Sequence, residues 1–207
     1  MADHDHTHAH HDHHGGMPHR FDNADEWAKE FDDPARDQWQ APDKVVAALA
    51  LAPPMIVADV GAGTGYFTVR LARALPTGTV IATDIEPDMI RYLNERASRE
   101  HLPNVRAVLG TTDDPRLDPG SVDRILVVDV WHHIADRAAY AKRLAAALKP
   151  GGSIAIVDFK PESEHGPPKE MRLAPASITA DLRAAGLDAD LDPTALPEQF
   201  IVVGRAR

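Results

Sequence analysis

"VADVGAGTGYFTVRLARAL", residues 57–75, sets Gly61, Gly63 and Gly65 within five positions, after an apolar run and ahead of a helical pattern. The G-x-G-x-G spacing differs from the dinucleotide fingerprint G-x-G-x-x-G and from the phosphate loop G-x-x-x-x-G-K-[ST]. Tyr66 and Phe67 occupy the two places after Gly65, and no Lys-Ser or Lys-Thr follows. Glycines nevertheless permit positive φ and close approach of a ligand to the backbone. Free N–H groups at the start of a helix over 65–75 can hold a carboxylate. Asp84 closes the next apolar run, nineteen residues beyond Gly65, where a carboxylate can accept hydrogen bonds from ribose hydroxyls. Ile85 and Met89 follow it, apolar residues suited to a purine face.

Outward from this loop the pattern is regular. The runs "MIVADV", "TVIATDI", "VRAVLG", "DRILVVDV" and "SIAIVDF" are continuous rather than alternating, as expected of strands buried on both faces. Helical stretches are expected over 65–75, 87–99 and 137–148. Alternating strands and helices predict an α/β fold, a parallel sheet with helices on both faces. "ASITADLRAAGL" predicts a final helix closed by Gly186 at its C′ position. The short runs at 187–191 and 199–204 have no room for a helix between them, so an antiparallel pair is expected.

Composition narrows the function. The 207 residues suit one ordinary domain, and 43% apolar content supplies a core. A formal charge of −10 without a Lys/Arg run argues against nucleic acid as a partner. The absence of cysteine removes disulfides, thiolate metal sites and Cys nucleophiles. No apolar stretch is long enough to span a membrane, and none near the N-terminus resembles a secretory signal. A cytoplasmic protein is the expectation.

Residues 1–19 form a low-complexity tail, expected to be disordered. Eight of the twelve histidines lie there. It is read either as a solubilising tail or as a loose site for Zn, Ni or Cu through His4, His6, His8, His10, His11, His13 and His14. Residues 20–42 form an aromatic cap segment with Phe21, Trp27, Phe31 and Trp39. Asn23 and Glu26 are placed for a capping box, Trp27 and Phe31 share a helix face, and Pro34 ends that helix. A second helix is expected over 42–51, with Pro42 at its start.

With these motifs in view, residues 43–207 resemble the class I S-adenosylmethionine-dependent methyltransferases. "VADVGAGTGYFT" resembles their first motif, with Asp59 ahead of the glycines. "IATDIEPDMI" resembles the ribose-holding segment, "SVDRILVVDVWHHI" the fourth strand and its loop, and "LKPGGSIAIVDF" the turn and fifth strand. The loop histidines and the Leu-Lys-Pro-Gly-Gly turn are most like the small-molecule, ubiquinone-biosynthesis-like branch. The resemblance implies a Rossmann-like, seven-stranded, mostly parallel sheet with an antiparallel last strand. It implies S-adenosylmethionine as cofactor, S-adenosylhomocysteine as product and a small-molecule acceptor, in a monomer or homodimer. The cofactor residues it implies are Asp59, Gly61, Ala62, Gly63, Gly65, Tyr66, Asp84, Ile85, Met89 and Asp129. One departure is "VLGTTDDPRL", where Thr111 stands in place of the acid that often ends the third strand. Thr112 or Asp113 is then the candidate for the adenine amino group.

The resemblance implies in-line methyl transfer from a sulfonium, in which alignment supplies much of the rate and a base is helpful but not obligatory. Asp129, His132 and His133 follow the fourth strand, on the edge where open α/β sheets bind ligands. Either histidine is a candidate base, or one packs beside the cofactor. Asp158 meets the acceptor or holds loop backbone. Tyr66 closes over the cofactor or packs at the helix start. The segment 20–40 covers the pocket or braces the sheet. The alternative function is a metal-responsive protein that works through its histidine tail. Removing residues 1–19 is expected to spare methyl transfer, measured with the eventual acceptor. Loss of function on that truncation would favour the metal reading.

Overall fold

The computed structural model describes Phe21 and residues 23–207. His4, His6, His8, His10, His11, His13 and His14 lie outside the described residues. Three short helices lead, α1 (Ala24–Phe31), α2 (Arg36–Gln40) and α3 (Pro42–Ala48). The α/β succession then runs β1 (Ile56–Val60), α4 (Tyr66–Ala74), β2 (Thr79–Asp84), α5 (Pro87–Arg99), β3 (Val105–Leu109) and β4 (Val122–Val128). It continues through α6 (Arg137–Ala147), β5 (Leu148–Phe159), α7 (Pro175–Ala184), β6 (Asp188–Leu191) and β7 (Gln199–Arg205).

The seven strands lie in the order β3-β2-β1-β4-β5-β7-β6. The first five are parallel, while β7 runs antiparallel to both β5 and β6. The Rossmann-like sheet with its antiparallel end is therefore the architecture present. Strand order reverses at β1, which pairs with β2 on one side and β4 on the other, so the ligand crevice of such a sheet opens at the carboxyl ends of these strands.

Alternate residues of each strand feed two cores. Ala58, Val60, Ile125, Val127, Ile154 and Ile156 pack with Tyr140, Leu144, Ile178 and Leu182 of α6 and α7. Val57, Leu126, Val128, Ala155 and Val157 pack with Val45, Leu49, Val69 and Leu71 from the α3 and α4 side. Both faces are covered, which is why the strands read as unbroken apolar runs. Trp131 is fully buried, and its indole N–H donates to Asp181 at 3.1 Å, tying the loop after β4 to α7.

Local signals account for most boundaries. Asn23 caps α1 by accepting the Glu26 N–H at 3.3 Å, whereas the Glu26 carboxylate pairs with Lys29 at 2.6 Å. Helix α7 closes as expected, with Gly186 at φ 89° and the Leu187 N–H donating to Leu182 O at 3.2 Å. Three details differ from expectation. Residues 36–40 form a separate helix. Helix α3 stops at Ala48 rather than running to residue 51, because Ala50 takes a left-handed φ of 47° and the following Pro53-Pro54 pair disfavours helical backbone before it. The Leu-Lys-Pro-Gly-Gly stretch lies inside β5 as a bulge: Val122 pairs with Leu148 and Arg124 with Ser153, so the residues between loop out.

Gly65 and Gly186 both sit at positive φ, at 93° and 89°, but a β-carbon would meet Leu93 Cδ2 at 2.8 Å at Gly65 and open space at Gly186. Gly186→Ala is expected to cost only the left-handed penalty of about 1–2 kcal/mol. Gly65→Ala is expected to cost more, because the Leu93 contact adds to that penalty. Urea unfolding of the two variants checks the ordering.

Candidate active site

The loop after β1 is built by backbone. Gly61, Gly63 and Gly65 take φ of 73°, 54° and 93°, values that side chains with a β-carbon disfavour. The Gly61 and Ala62 N–H groups donate to Thr83 O at 2.8 and 3.0 Å, locking the loop to β2. Among the described residues no side chain caps the start of α4. Beside it the Thr64 hydroxyl is buried with no hydrogen-bond partner among the described residues.

Asp84, at the end of β2, accepts the Gly63 N–H at 2.8 Å on one carboxylate oxygen and the Glu86 N–H at 3.0 Å on the other. A carboxylate has about four acceptor positions, so capacity for further donors is left. Ile85 and Leu109 are each 48% exposed at the ends of paired strands, since Asp84 registers with Leu109. Met89 is buried in α5, so Ile85 rather than Met89 forms the open apolar surface. Thr112 and Asp113 are exposed in the β3–β4 loop, where Asp113 accepts the Thr111 hydroxyl at 2.6 Å.

At the ends of β4 and β5 the polar groups converge. Asp129 has a φ of 59° and accepts hydrogen bonds from Gln40, at 3.4 Å, and from Gln199, with Arg36 at 3.5 Å. His132 Nδ1 lies 3.0 and 3.2 Å from the two carboxylate oxygens of Asp158. The His133 ring centroid is 4.2 Å from that of His132 and 6.5 Å from that of Phe21.

The cap segment lies across this edge. Phe31 reaches to 3.4 Å of where a Gly63 β-carbon would stand, and stacks on Trp27 at 5.3 Å. Arg96 holds both Asp32, at 2.7 Å, and the Thr64 carbonyl, at 2.9 Å. The Tyr66 hydroxyl donates to Asp37, while the guanidinium groups of Arg36 and Arg70 lie 4.2 and 3.9 Å from its ring centroid. Arg36, Gln40 and Gln199 gather around Asp129, and sequence reasoning did not single them out. Arg36 and Gln40 sit in a helix too short to show a period, and Gln199 opens an apolar strand with no motif around it.

Burial dominates the electrostatics. It pushes the Asp59 carboxyl up to about 6 against the stabilising Thr68 hydroxyl bond at 2.6 Å, with nearby Asp84 adding to the rise. Burial likewise raises Asp129 to about 6, with Arg36 opposing and Asp158 reinforcing the shift. Asp84 is also raised by burial, and its backbone hydrogen bonds oppose the rise. Desolvation lowers Arg36. The edge thus carries the buried Asp59 and Asp158 and the partly buried Asp84 and Asp129, with Arg36 close to Asp129. Among the described residues no group of three or more His, Asp or Glu is placed to hold a metal ion, and no helix is long and apolar enough to cross a membrane.

Comparison with known proteins agrees with this geometry. Residues 57–152 match the family model described as a methyltransferase domain. An uncharacterized methyltransferase of Mycobacterium bovis is 36% identical over 152 residues, which is 72% of this chain and 55% of the relative. The chain therefore spans about half the length of that curated relative. A crystal structure of a SAM-dependent methyltransferase from Aquifex aeolicus superposes with a TM-score of 0.81 at 26% identity, covering 88% of this chain and 98% of that one. Residues 57–152 thus carry the likeness of a methyltransferase domain, and the glycine loop and the strand order are similar to those of the class I S-adenosylmethionine-dependent methyltransferases.

Proposed function

We propose that the protein transfers a methyl group from S-adenosylmethionine to a small-molecule acceptor in the cytoplasm. The observation that carries the cofactor placement is the Gly63–Asp84 hydrogen bond of 2.8 Å, with the exposed Ile85 and Leu109 beside it. In this reading Asp84 accepts the ribose hydroxyls and Ile85 lies on the adenine, with Met89 beneath. Thr112 or Asp113 receives the adenine amino group. The backbone of Gly61, Ala62, Gly63 and Gly65, with Tyr66 and the Thr64 hydroxyl, which has no partner among the described residues, cradles the amino-acid end. Asp59 and Asp129 complement its positive charge.

The cofactor supplies a sulfonium methyl group that is already electrophilic. The residues then have to align, desolvate and hold, contributions that orientation alone can bring to about 7–11 kcal/mol. A small acceptor is favoured because the cap comes from short segments around the edge, with Phe31 already against the glycine loop. The formal net charge of −10 disfavours a nucleic-acid acceptor.

Calorimetric titration tests the cofactor placement. Asp84→Ala is expected to weaken S-adenosylmethionine binding by about 1.5–3 kcal/mol, the scale of hydrogen bonds to a charged group. A nicotinamide-dependent activity without such binding would overturn the reading.

Asp59 makes a second test, separable into stability and affinity. Its folded carboxyl sits near 6, above the ordinary ~3.9, so the ligand-free fold binds the extra proton. Its contribution to stability is full below about pH 4 and is lost as pH rises through 6. Asp59→Asn is expected to raise the stability of the ligand-free protein at pH 7.5 by ~1–2 kcal/mol, and to do nothing at pH 4. The same change is expected to weaken S-adenosylmethionine binding at pH 7.5. Thermal melts at the two pH values, and titration at one, check both.

A further inference from the structure

We infer that the histidine tail holds a divalent transition-metal ion of the Ni, Cu or Zn kind at the mouth of the crevice, with His133 as its ligand from the folded domain. This site stands apart from the methyl-transfer reading and does not depend on it.

The tail supplies the ligand chemistry. His4, His6, His8, His10, His11, His13, His14 and His19 fall within sixteen positions, with Asp3, Asp5 and Asp12 beside them and no Lys or Arg through residue 19. Imidazole suits the borderline ions, and a chain without cysteine has no thiolate to favour softer ones. The neutral ring is the ligating form, and a histidine of ordinary pKa, about 6.5, is mostly neutral at pH 7.5. Ligands this close in sequence close only short loops around an ion, which costs little chain entropy. Gly15 and Gly16 give backbone freedom for a turn between His14 and His19.

The fold supplies the location. The chain enters the described structure at Phe21, whose ring lies 4.8 Å from Trp27, 5.8 Å from Phe31 and 6.5 Å from His133, centroid to centroid. Phe31 in turn stands against Gly63, so the tail joins the domain at the edge where β1 and β4 end. A chain spans at most ~3.3–3.6 Å per residue. His19, two residues before Phe21, therefore stays within about 7 Å of it, and His14 within about 25 Å. Both reach an ion beside His133.

The other histidines of the fold are placed differently. His132 Nδ1 lies 3.0 Å from Asp158, and its side chain is 3% exposed. His165 stacks on Trp39 at 5.0 Å. His101 follows α5, at the edge of the sheet where β3 begins. His133 is exposed, follows β4 and lies beside Phe21. Among the described residues no three His, Asp or Glu are grouped to hold a metal ion, so the fold brings one ligand and the tail must bring the rest. Phe21 keeps the two arms near each other, and a tethered second arm binds at high effective concentration. A dication is thereby set at the entrance to the crevice, next to the pair formed by His132 and Asp158.

The experiment uses the full chain, with Ni²⁺ as the calorimetric probe at pH 7.5. Expected is binding that weakens by about tenfold or more in His133→Gln, as when one arm of a tethered chelate is cut. Binding is expected to vanish when His4, His6, His8, His10, His11, His13, His14 and His19 are all changed to Gln. Thermal melts without metal check that both variants fold. The affinity of the unaltered chain is expected to fall between pH 7.5 and pH 5.5, because imidazole must shed its proton to bind. A second measurement needs no variant. In the ¹⁵N-labelled full chain, substoichiometric Cu²⁺ is expected to broaden the amide signals of Phe21, Trp27 and His133 first. Those of His101 and Gly186, at the other edge of the sheet, are expected to stay sharp. Broadening confined to the tail, broadening that takes in His101 equally, or Ni²⁺ affinity unmoved by His133→Gln each places the ion elsewhere and overturns the inference. Failure of the folded chain to bind Ni²⁺ overturns it outright.

Discussion

The hydrogen bond from the Gly63 amide to the Asp84 carboxylate, 2.8 Å long, ties the loop after β1 to the end of β2 and sets the geometry of the whole edge. It forms only because the loop turns through three glycines at positive φ and because two further amides reach the Thr83 carbonyl. With the loop pinned, α4 starts uncapped at the crevice, and its side chains fill the α3–α4 core. The reversal of strand order at β1 then leaves the ends of β1, β2 and β4 open on the same edge. A conformational requirement on three residues thus shapes an open sheet edge.

That surface is held at a cost in stability. Asp59, Asp84 and Asp129 are pushed toward protonation because burial strips water from their carboxylates. A core built for stability alone would not place several acids there. The cap segment offsets part of the charge: Arg36 reaches Asp129, while Gln40 and Gln199 donate to it. Arg36 is itself desolvated, so the compensation is incomplete. In the proposed methyl-transfer reading, the positive charge of the sulfonium cofactor is what would complete it.

Much of this was legible in the sequence where the signal is short-range. Continuous apolar runs marked the two-sided sheet, and the α7 terminus followed from Gly186. The distance from the glycines to Asp84 marked the crevice. The misses have physical causes as well. Helix α2 is five residues long, too brief for a hydrophobic period to register. The end of α3 depends on a left-handed Ala50, a conformation that alanine does not advertise. The Leu-Lys-Pro-Gly-Gly stretch carries turn chemistry, yet neighbouring β4 draws it into a bulged strand.

What the sequence alone determined about this protein is its fold class, its glycine loop and the strand-end acid, because each rests on periodicity or spacing within about twenty residues. It also brought His132, His133 and Asp158 forward as candidates without choosing among them. Only the tertiary structure decided that His132 faces Asp158 and that Phe31 covers Gly63. It alone brought Gln40 to Gln199, 159 positions apart, around Asp129. Pairings of that kind depend on which strand ends the sheet sets side by side, and buried polar groups must find their partners wherever the fold delivers them.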